Sequence, residues 1–352
     1  MYLVETFKSL QKVKHGLYNL IISYVFNSQE HYYVALGYFH YKTLLMKRRS
    51  FIQKSALTTG AISIGSTLSY AKTINKTVDT HKYNLKYAPH LGMFKHMAGD
   101  DPIDQLNFMA DQGYIAFEDN EMRKRPIELQ EKMAKTMKER GLEMGVFVAH
   151  EIHWKTPNLA SGNPTKREEF LNDIKNSIKV AKRVNAKWMT VVPGHLDLKL
   201  RMGYQTANVI ESLKQASALL EPHNITMVLE PLNLRNHPGL FLTDSPQAFE
   251  ICKAVNSPSC KILFDIYHQQ IQEGNLIPNM EASWSEIAYI QIGDNPGRNE
   301  PTTGEINYHN VFKWIHAQGF DGVLGMEHGN SRDGKEGELA VIEAYKKVDA
   351  FL

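Results

Sequence analysis

The sequence has very little cysteine. Cys252 and Cys260 are the two cysteines in 352 residues, so a disulfide framework and a cysteine-rich metal site are both excluded. We interpret both thiols as small apolar residues of the core. Long apolar runs are also scarce: the stretch from Leu17 to Phe26 is far shorter than the roughly 20 residues that a membrane-spanning helix needs.

The main part of the chain also lacks an excess of positive charge. Residues 1–71 contain eight Lys and Arg against two Asp and Glu, which leaves a formal charge of −4 on the remainder of a chain whose total is +2. Proteins that bind nucleic acids usually carry a basic patch, so we expect no nucleic-acid partner. The length and the 43% of hydrophobic residues allow one large α/β domain or two smaller ones.

Residues 1–71 are predicted to lie outside the folded domain. Arg48 and Arg49 precede a weakly apolar run from Ser55 to Tyr70, and small residues, Ser69 and Ala71, occupy the positions that a signal peptidase reads. This order resembles a bacterial twin-arginine export signal with a cut near Ala71. It predicts export to the periplasm by the twin-arginine machinery, which accepts folded proteins. A basic surface helix is the alternative.

The export signal divides the chain into two parts. Export signals normally begin near their arginine pair, so we take Met46 as a candidate for the true start. The predicted organisation is an N-terminal extension with a signal peptide over residues 1–71 and a catalytic domain over residues 72–352. Nothing in the sequence indicates an oligomeric state.

From about residue 84, short apolar runs alternate with amphipathic stretches. Several of the runs are continuously hydrophobic, which is typical of parallel strands covered on both faces. The predicted strands are Leu85–Pro89, Tyr114–Glu118, Glu143–Ala149, Trp188–Pro193, Thr226–Pro231, Lys261–Ile266, Ala288–Gly293 and Val323–Glu327. The predicted helices open at Pro102 and Pro126 and cover Thr165–Asn185, Thr206–Glu221, Ser245–Val255, Tyr308–Gln318 and Glu336–Leu352.

Eight strand-then-helix units without a break in composition predict a single (β/α)₈ TIM barrel. A doubly wound open sheet is the alternative. That fold usually has a glycine-rich phosphate loop after its first strand, and the sequence Pro-His-Leu-Gly-Met at residues 89–93 is not such a loop.

In a barrel, the residues that end the strands should form the active site. Glu230, Asp265, Gln291 and Glu327 each end one of the last four strands. Three carboxylates so close together would raise one another's pKa, and a divalent cation would relieve that repulsion. A set of oxygen ligands favours Mg²⁺ or Mn²⁺ over Zn²⁺. A single acid at such a position could instead cap the following helix.

Other polar residues are candidates for binding a substrate. His268 should lie at the mouth of the site, and Arg298 suits an anionic substrate because its guanidinium matches a carboxylate. A loop pairing of Arg298 with Glu300 or Glu305 is the alternative. His195 and Glu151 are weaker candidates, as are the remaining polar residues at strand ends, and Asp294 should fix the shape of the loop that carries Arg298.

Four segments together resemble one known family. They are LEPLN at 229–233, FDIYHQQ at 264–270, IQIGDNPGRNEPTTGEINY at 290–308 and MEHG at 326–329. The chain from about residue 84 to 350 is similar to the hydroxypyruvate isomerases, within the xylose isomerase-like barrels that also include tagatose and psicose epimerases. The second and third segments are long and specific.

The resemblance implies a function and roles for individual residues. It implies an aldose–ketose isomerase that acts through an enediolate, with Glu230 and Glu327 as proton donor and acceptor and no organic cofactor. It also implies a metal site of Glu230, Asp265, Gln291 and Glu327, where Gln291 replaces the histidine of the epimerases, and substrate contacts from His268 and Arg298.

Three other functions are alternatives to a hydroxypyruvate isomerase. Glyoxylate metabolism, to which hydroxypyruvate isomerase belongs, is cytoplasmic, whereas the export signal predicts a periplasmic protein. An exported ketose isomerase or epimerase of the same superfamily is therefore an alternative, as is a non-catalytic sugar-binding barrel. A metal-dependent phosphodiesterase of the endonuclease IV type would need more histidine ligands and a basic groove.

Overall fold

The structure of the protein is a computed structural model, and it describes residues 81–352. The predicted export signal, including Arg48, Arg49 and the candidate start Met46, lies outside the described residues. Within residues 81–352, no helix is both long enough and apolar enough to span a bilayer.

Parallel strands form the centre of the described chain. They are β1 (Lys86–Ala88), β2 (Ala116–Phe117), β3 (Glu143–Met144), β4 (Trp188–Val191), β5 (Thr226–Leu229), β6 (Cys260–Asp265), β7 (Ile287–Gln291) and β8 (Val323–Gly325). Six of them pair in the order β1-β8-β7-β6-β5-β4, and β2 pairs with β3. All of these pairings are parallel.

Two bridges close the strands into a barrel. His90 pairs with Glu118 and joins β1 to β2, while Val148 pairs with Thr190 and joins the chain after β3 to β4. The ladder therefore returns to its first strand, whereas an open doubly wound sheet ends in two edge strands. The predicted (β/α)₈ barrel is confirmed, and the doubly wound alternative is excluded.

Helices cover the outside of the barrel. They are α1 (Lys95–Ala98), α2 (Pro102–Asp111), α3 (Ile127–Arg140), α4 (Pro164–Val184), α5 (Met202–Leu220), α6 (Ser245–Val255), α7 (Ile266–Gln272), α8 (Leu276–Ser283), α9 (Tyr308–Ala317) and α10 (Gly334–Asp349). Side chains of Asp101, Asn163 and Asp244 accept hydrogen bonds from the free N–H groups that begin α2, α4 and α6. Each of these helices has a proline in its first turn, where no N–H group is needed.

The structure differs from the predicted elements in a few places. Helices α7 and α8 were not predicted, because seven- and eight-residue helices on either side of Gly274 are too short to show a helical period. Helix α5 begins four residues before the predicted Thr206. Strand β3 is regular over only two residues, although the chain beyond it still pairs with β4 through Val148.

The inside of the barrel has its own small apolar cluster. It consists of Ala88, Ala116, Val146, Val228, Leu263, Tyr289 and Val323, all buried, and it is separate from the larger core. Each of these residues lies in or directly after a different strand. The cluster therefore fills the barrel, so that a site at its carboxyl-terminal end has a solid floor rather than a channel.

Candidate active site

The acidic and amide side chains predicted as ligands lie at one end of the barrel. Glu230 follows β5, Asp265 and Gln291 end β6 and β7, and Glu327 lies two residues beyond β8. The strand register pairs Asp265 with Gln291, and Gln291 with Gly325. The four positions are therefore neighbours at the end of the barrel where the active sites of this fold are found.

The guanidinium of Arg298 lies between two of these carboxylates. Its Nη2 donates hydrogen bonds to Asp265 Oδ2 at 3.0 Å and to Glu327 Oε2 at 2.7 Å. Its carbon lies 4.9 Å from the centre of the Tyr267 ring, a cation–π arrangement. Burial opposes the charge, but Glu327 and Asp265 outweigh it and raise the pKa of Arg298 above its ordinary value. Arg298 is thus a permanent cation inside the site.

A buried aspartate shapes the loop that carries Arg298. Asp294 accepts hydrogen bonds from the backbone N–H groups of Asn295, Gly304 and Ile306 at 2.9, 2.9 and 3.2 Å. Its own carbonyl accepts from the Arg298 N–H at 2.8 Å. The expectation that Asp294 fixes this loop is confirmed, and the loop holds Arg298 in position before any substrate arrives.

His268 is buried in the site rather than at its mouth. Its Nδ1 accepts a hydrogen bond from Asn233 Nδ2 at 2.6 Å, and the orientation of that amide is fixed because Asn233 Oδ1 accepts from the Asn236 N–H. Burial lowers the pKa of His268 to about 4. The neutral ring therefore carries its proton on Nε2, which lies 3.6 Å from Asp265 Oδ2 and 3.9 Å from Glu230 Oε1. This nitrogen can donate to a substrate oxygen.

Three of these residues could also hold a metal ion. One potential ligand atom each of Glu230, Asp265 and His268 lies within 4.8 Å of the other two, and all three residues are buried. Gln291 Oε1, from the fourth predicted ligand position, is a buried acceptor without a hydrogen-bond partner. Two buried carboxylates and an orphaned amide oxygen fit a divalent cation. For His268 to bind a metal ion through Nε2 as a neutral imidazole, its proton would have to move to Nδ1, and the Asn233 amide would have to turn its oxygen toward that nitrogen.

The proton affinity of the carboxylates is raised. Burial, with the nearby charges of Glu327 and Asp265, raises the pKa of Glu230 well above its ordinary value. Burial also raises the pKa of Glu327, although Arg298 and a hydrogen bond from Asn120 Nδ2 at 2.7 Å act in the opposite direction. Carboxyl groups with raised pKa values can both accept and deliver protons near neutral pH.

Glu118, the last residue of the second predicted strand and one of the weaker candidates for the pocket wall, is a further buried carboxyl group. It follows β2 and accepts hydrogen bonds from Tyr289 Oη at 2.7 Å and from Gln291 Nε2 at 3.0 Å. Burial, followed by the charge of Glu327, raises its pKa to about 8. Because Glu118 accepts a hydrogen bond from the amide nitrogen of Gln291, the amide atom that has no hydrogen-bond partner is the oxygen, Oε1. Glu118 lies at the end of a strand, as do the other acids that were predicted to form the site.

A pocket of about 270 Å³ lies at this end of the barrel. Its walls contain five of the residues discussed above as site candidates, Glu151, Glu230, His268, Arg298 and Glu327, and the additional residues Asn120, Arg123, His150, Trp154 and His237. Glu151 lies at the exposed rim, with Oε2 3.8 Å from Arg123 Nη2.

His195 does not line this pocket. Its Nδ1 lies 2.8 Å from the Leu196 carbonyl oxygen, and its ring packs over Gly239, where an added Cβ would lie 2.2 Å from Nε2. The ring fills the space that Gly239 leaves, between the chain segments that follow β4 and β5. A position at a strand end was therefore not sufficient to bring this side chain into the pocket.

Comparisons with known proteins agree with this fold. A family model described as xylose isomerase-like TIM barrel matches residues 106–348. A hydroxypyruvate isomerase of Escherichia coli K12 is 34% identical over 194 residues, which are 52% of this chain and 75% of that protein. A 2-oxo-tetronate isomerase of Pectobacterium atrosepticum is 28% identical over 71% of this chain and 95% of that protein. A crystal structure from Brucella melitensis described as AP endonuclease, family 2, superposes with a TM-score of 0.65 at 26% identity, over 74% of this chain and 99% of that one.

Proposed function

Since the chain belongs to the xylose isomerase-like TIM barrel family, we propose that it is an isomerase that moves a proton between adjacent carbons of a small hydroxy-carbonyl compound. The first reaction that we propose is the interconversion of hydroxypyruvate and tartronate semialdehyde, the activity named for its relative in Escherichia coli. The observation that carries the proposal is that Glu230 and Glu327, both with raised pKa values, line one pocket beside Arg298 and His268.

The two glutamates carry the proton in this mechanism. From hydroxypyruvate, one carboxylate takes a proton from C3, the hydroxymethyl carbon, which leaves an enediolate across C2 and C3. C2 then receives a proton, either from the same glutamate or from the second one, and the hydroxyl proton passes from the oxygen on C3 to the oxygen on C2. A positioned acid or base of this kind typically contributes about 10² to 10⁴ in rate.

Arg298 and His268 stabilise the negative charge that develops on the two oxygens. Arg298 is fixed by the loop around Asp294, and His268 Nε2 lies 3.6 Å from Asp265 Oδ2 and 3.9 Å from Glu230 Oε1. Both donors are in place before the reaction, so little reorganisation is needed when the charge forms. Arg298 also provides the positive charge that a substrate carboxylate requires.

A divalent cation would be held by Glu230 and Asp265, with Gln291 and Glu327 as the further ligands of the predicted set and His268 as an alternative one. When bound, it would act as a Lewis acid that polarises the substrate carbonyl. We keep Mg²⁺, Mn²⁺ and Zn²⁺ as candidates, since two carboxylates suit all three ions.

Two other functions remain as alternatives. An epimerase would use the same pair of glutamates on opposite faces of one carbon, and a sugar-binding barrel would use the same pocket without proton transfer. A phosphodiesterase is disfavoured, because the chain after residue 71 carries a formal charge of −4 and the acidic site lacks the basic groove that a nucleic acid needs.

One experiment separates these functions. Purified protein is incubated in D₂O with hydroxypyruvate and a panel of ketoses and keto acids, and each compound is followed by proton NMR. An isomerase gives a product whose carbonyl has moved to the neighbouring carbon, whereas an epimerase gives a stereoisomer with deuterium at one carbon. Binding without loss of any C–H signal across the panel would contradict the proposal and favour the binding barrel.

A further inference from the structure

One wall of the pocket contains three neighbouring aromatic rings, of which the proposed mechanism uses only His268. The indole of Trp154 stacks on His237 at 5.2 Å with an interplanar angle of 27°, and His237 faces His268 at 5.4 Å. All three rings line the pocket. We call Trp154, His237 and His268 the aromatic wall. It runs from His268, which is 1% exposed, to Trp154, which is 45% exposed.

The backbone that carries the middle ring is bonded to the segment that positions His268. The backbone N–H of His237 donates to the Asn233 carbonyl at 3.0 Å, and the Asn233 side chain binds the His268 ring. The middle ring contacts a large exposed indole at the entrance, although a Trp side chain normally buries most of its surface.

A three-carbon substrate is too short to use the whole wall. With carbon–carbon bonds of about 1.5 Å, its end carbons lie only about 2.5 Å apart. The reacting carbons must stay within about 3 to 3.5 Å of the glutamates, whereas Trp154 lies two ring-to-ring steps outward from His268. Hydroxypyruvate bound for reaction therefore leaves the outer end of the pocket to water.

The remainder of the outer pocket is polar but electrically balanced. Arg123 pairs with Asp173 at 3.1 Å and lies 3.8 Å from Glu151, while Lys124 pairs with Glu121 at 3.1 Å. No excess of positive charge is available there for a second anionic group. Polar groups of both charge signs and an aromatic surface in one pocket instead match a chain or ring of hydroxylated carbons, which has polar edges and apolar C–H faces.

We propose that the aromatic wall forms an outer subsite that binds an uncharged, hydroxylated extension of the substrate. The C–H face of this extension packs on Trp154, and its hydroxyl groups face Arg123 and Glu151. The preferred substrate then has four or more carbons and is used better than hydroxypyruvate. This inference rests on the proposed isomerase or epimerase function of the same pocket, and it adds the size and charge of the substrate.

The kinetic test uses Trp154→Ala, with Trp154→Phe as the conservative variant and Tyr204→Ala as the control. Tyr204 is an exposed aromatic residue on α5 outside the pocket. For wild type and each variant, kcat and KM are measured with hydroxypyruvate, erythrulose and fructose. We expect Trp154→Ala to lower the ratio of kcat/KM for the best longer substrate to that for hydroxypyruvate at least tenfold, mainly through KM. Trp154→Phe should retain most of this ratio, and Tyr204→Ala should leave it unchanged.

Two results would overturn the proposal: wild type that uses hydroxypyruvate at least as efficiently as both longer compounds, or a Trp154→Ala variant that loses the same factor on all three. An equilibrium measurement separates this failure from failure of the proposed function. In Glu327→Gln protein, calorimetric binding of erythrulose or fructose should weaken at least tenfold when Trp154→Ala is added. That weakening without any turnover by wild type would support the subsite and sink the isomerase proposal, whereas no binding of either compound would overturn the subsite.

Discussion

At the scale of single residues, the contact between Gly325 and Glu118 restricts the site most tightly. A Cβ added at Gly325 would lie 1.8 Å from Glu118 Oε2 and 3.2 Å from Gln291 Cγ. Glu118 is buried and has hydrogen-bond partners on both oxygens, so it cannot move without breaking at least one of these bonds. Glycine at position 325 of β8 therefore leaves the space that the carboxyl group of Glu118, directly after β2, occupies.

We predict that Gly325→Ala displaces Glu118 from Tyr289 and Gln291, lowers the free energy of unfolding by about 2 kcal/mol and reduces turnover. Gly203→Ala is the matched control, because Gly203 lies in α5 with no atom near the added methyl group. Alanine at that helical position should be neutral or should stabilise by up to about 1 kcal/mol. Urea unfolding and steady-state kinetics measure both effects, and equal stability of the two variants would refute the contact.

His150 makes stability depend on pH. Burial lowers its pKa to about 4, against the effects of the Glu151 carbonyl and of Asp173, whereas an unfolded histidine has a pKa of about 6.5. The unfolded chain therefore binds the proton first as the pH falls. This group's contribution is complete above pH 6.5 and is lost progressively between pH 6.5 and pH 4, up to about 3 kcal/mol.

The test compares wild type with His150→Gln, since glutamine can keep a donor near the Glu151 carbonyl and an acceptor near the Val192 N–H, both of which His150 now binds. Urea unfolding at pH 7 and at pH 4.5 should show a smaller loss of stability in the variant. Other buried acids titrate in both proteins, so the difference between the two proteins isolates His150. Identical losses would show that His150 is not neutral in the folded state.

At the scale of elements, a buried carboxylate connects the last helix to the first. Glu338 of α10 accepts hydrogen bonds from the backbone N–H groups of His96 and Met97 at 2.7 and 2.8 Å, and its Oε1 lies 2.8 Å from His96 Nδ1. Helix α1 has only four residues and has no side-chain cap at Phe94, so it depends on this contact. Asp349, at the end of α10, similarly binds Asn84 and Tyr87 next to and in β1.

We predict that Glu338→Ala destabilises the protein by about 3 kcal/mol, because it leaves two backbone N–H groups and a histidine without their acceptor in a buried place. Glu336→Ala, an exposed change in the first turn of the same helix, should shift stability by no more than about 0.5 kcal/mol. Thermal and urea unfolding measure the difference. A Glu338→Ala variant as stable as Glu336→Ala would mean that α10 holds α1 only by apolar packing.

The elements also show how far the sequence alone could lead. The continuous apolar strands and the prolines at helix starts predicted the barrel, since each signal lies within a few neighbouring residues. The positions of Glu230, Asp265, Gln291 and Glu327 at the ends of predicted strands are also local signals, and they were sufficient to place these four residues together. The tautomer of His268 depends on Asn233, 35 residues away, and the role of Glu118 depends on Tyr289, 171 residues away. Such partners follow from packing between strands, which no local pattern records.

At the scale of the whole molecule, the mildly acidic chain after residue 71 and the basic first 71 residues have different roles in our account. We propose that Arg48 and Arg49 direct the folded barrel to the periplasm. Replacement of both by Lys should abolish the processed periplasmic form, since a twin-arginine signal requires the pair, while the free energy of unfolding of the barrel stays the same. Cell fractionation with mass spectrometry of the mature N-terminus measures this, and a variant still exported and cut near Ala71 would contradict the proposal.

The central claim is that Glu230 and Glu327 transfer a proton at a carbon next to a carbonyl. The most direct measurement is the exchange of that carbon-bound proton with solvent deuterium, followed by NMR for wild type, Glu230→Gln and Glu327→Gln with the best substrate of the panel. Both variants should remain folded, because glutamine keeps the shape of the side chain. The variant that lacks the base should lose exchange by at least 10²-fold, and both variants should lose product formation if the second glutamate delivers the proton. Exchange at the wild-type rate in both folded variants would contradict the account.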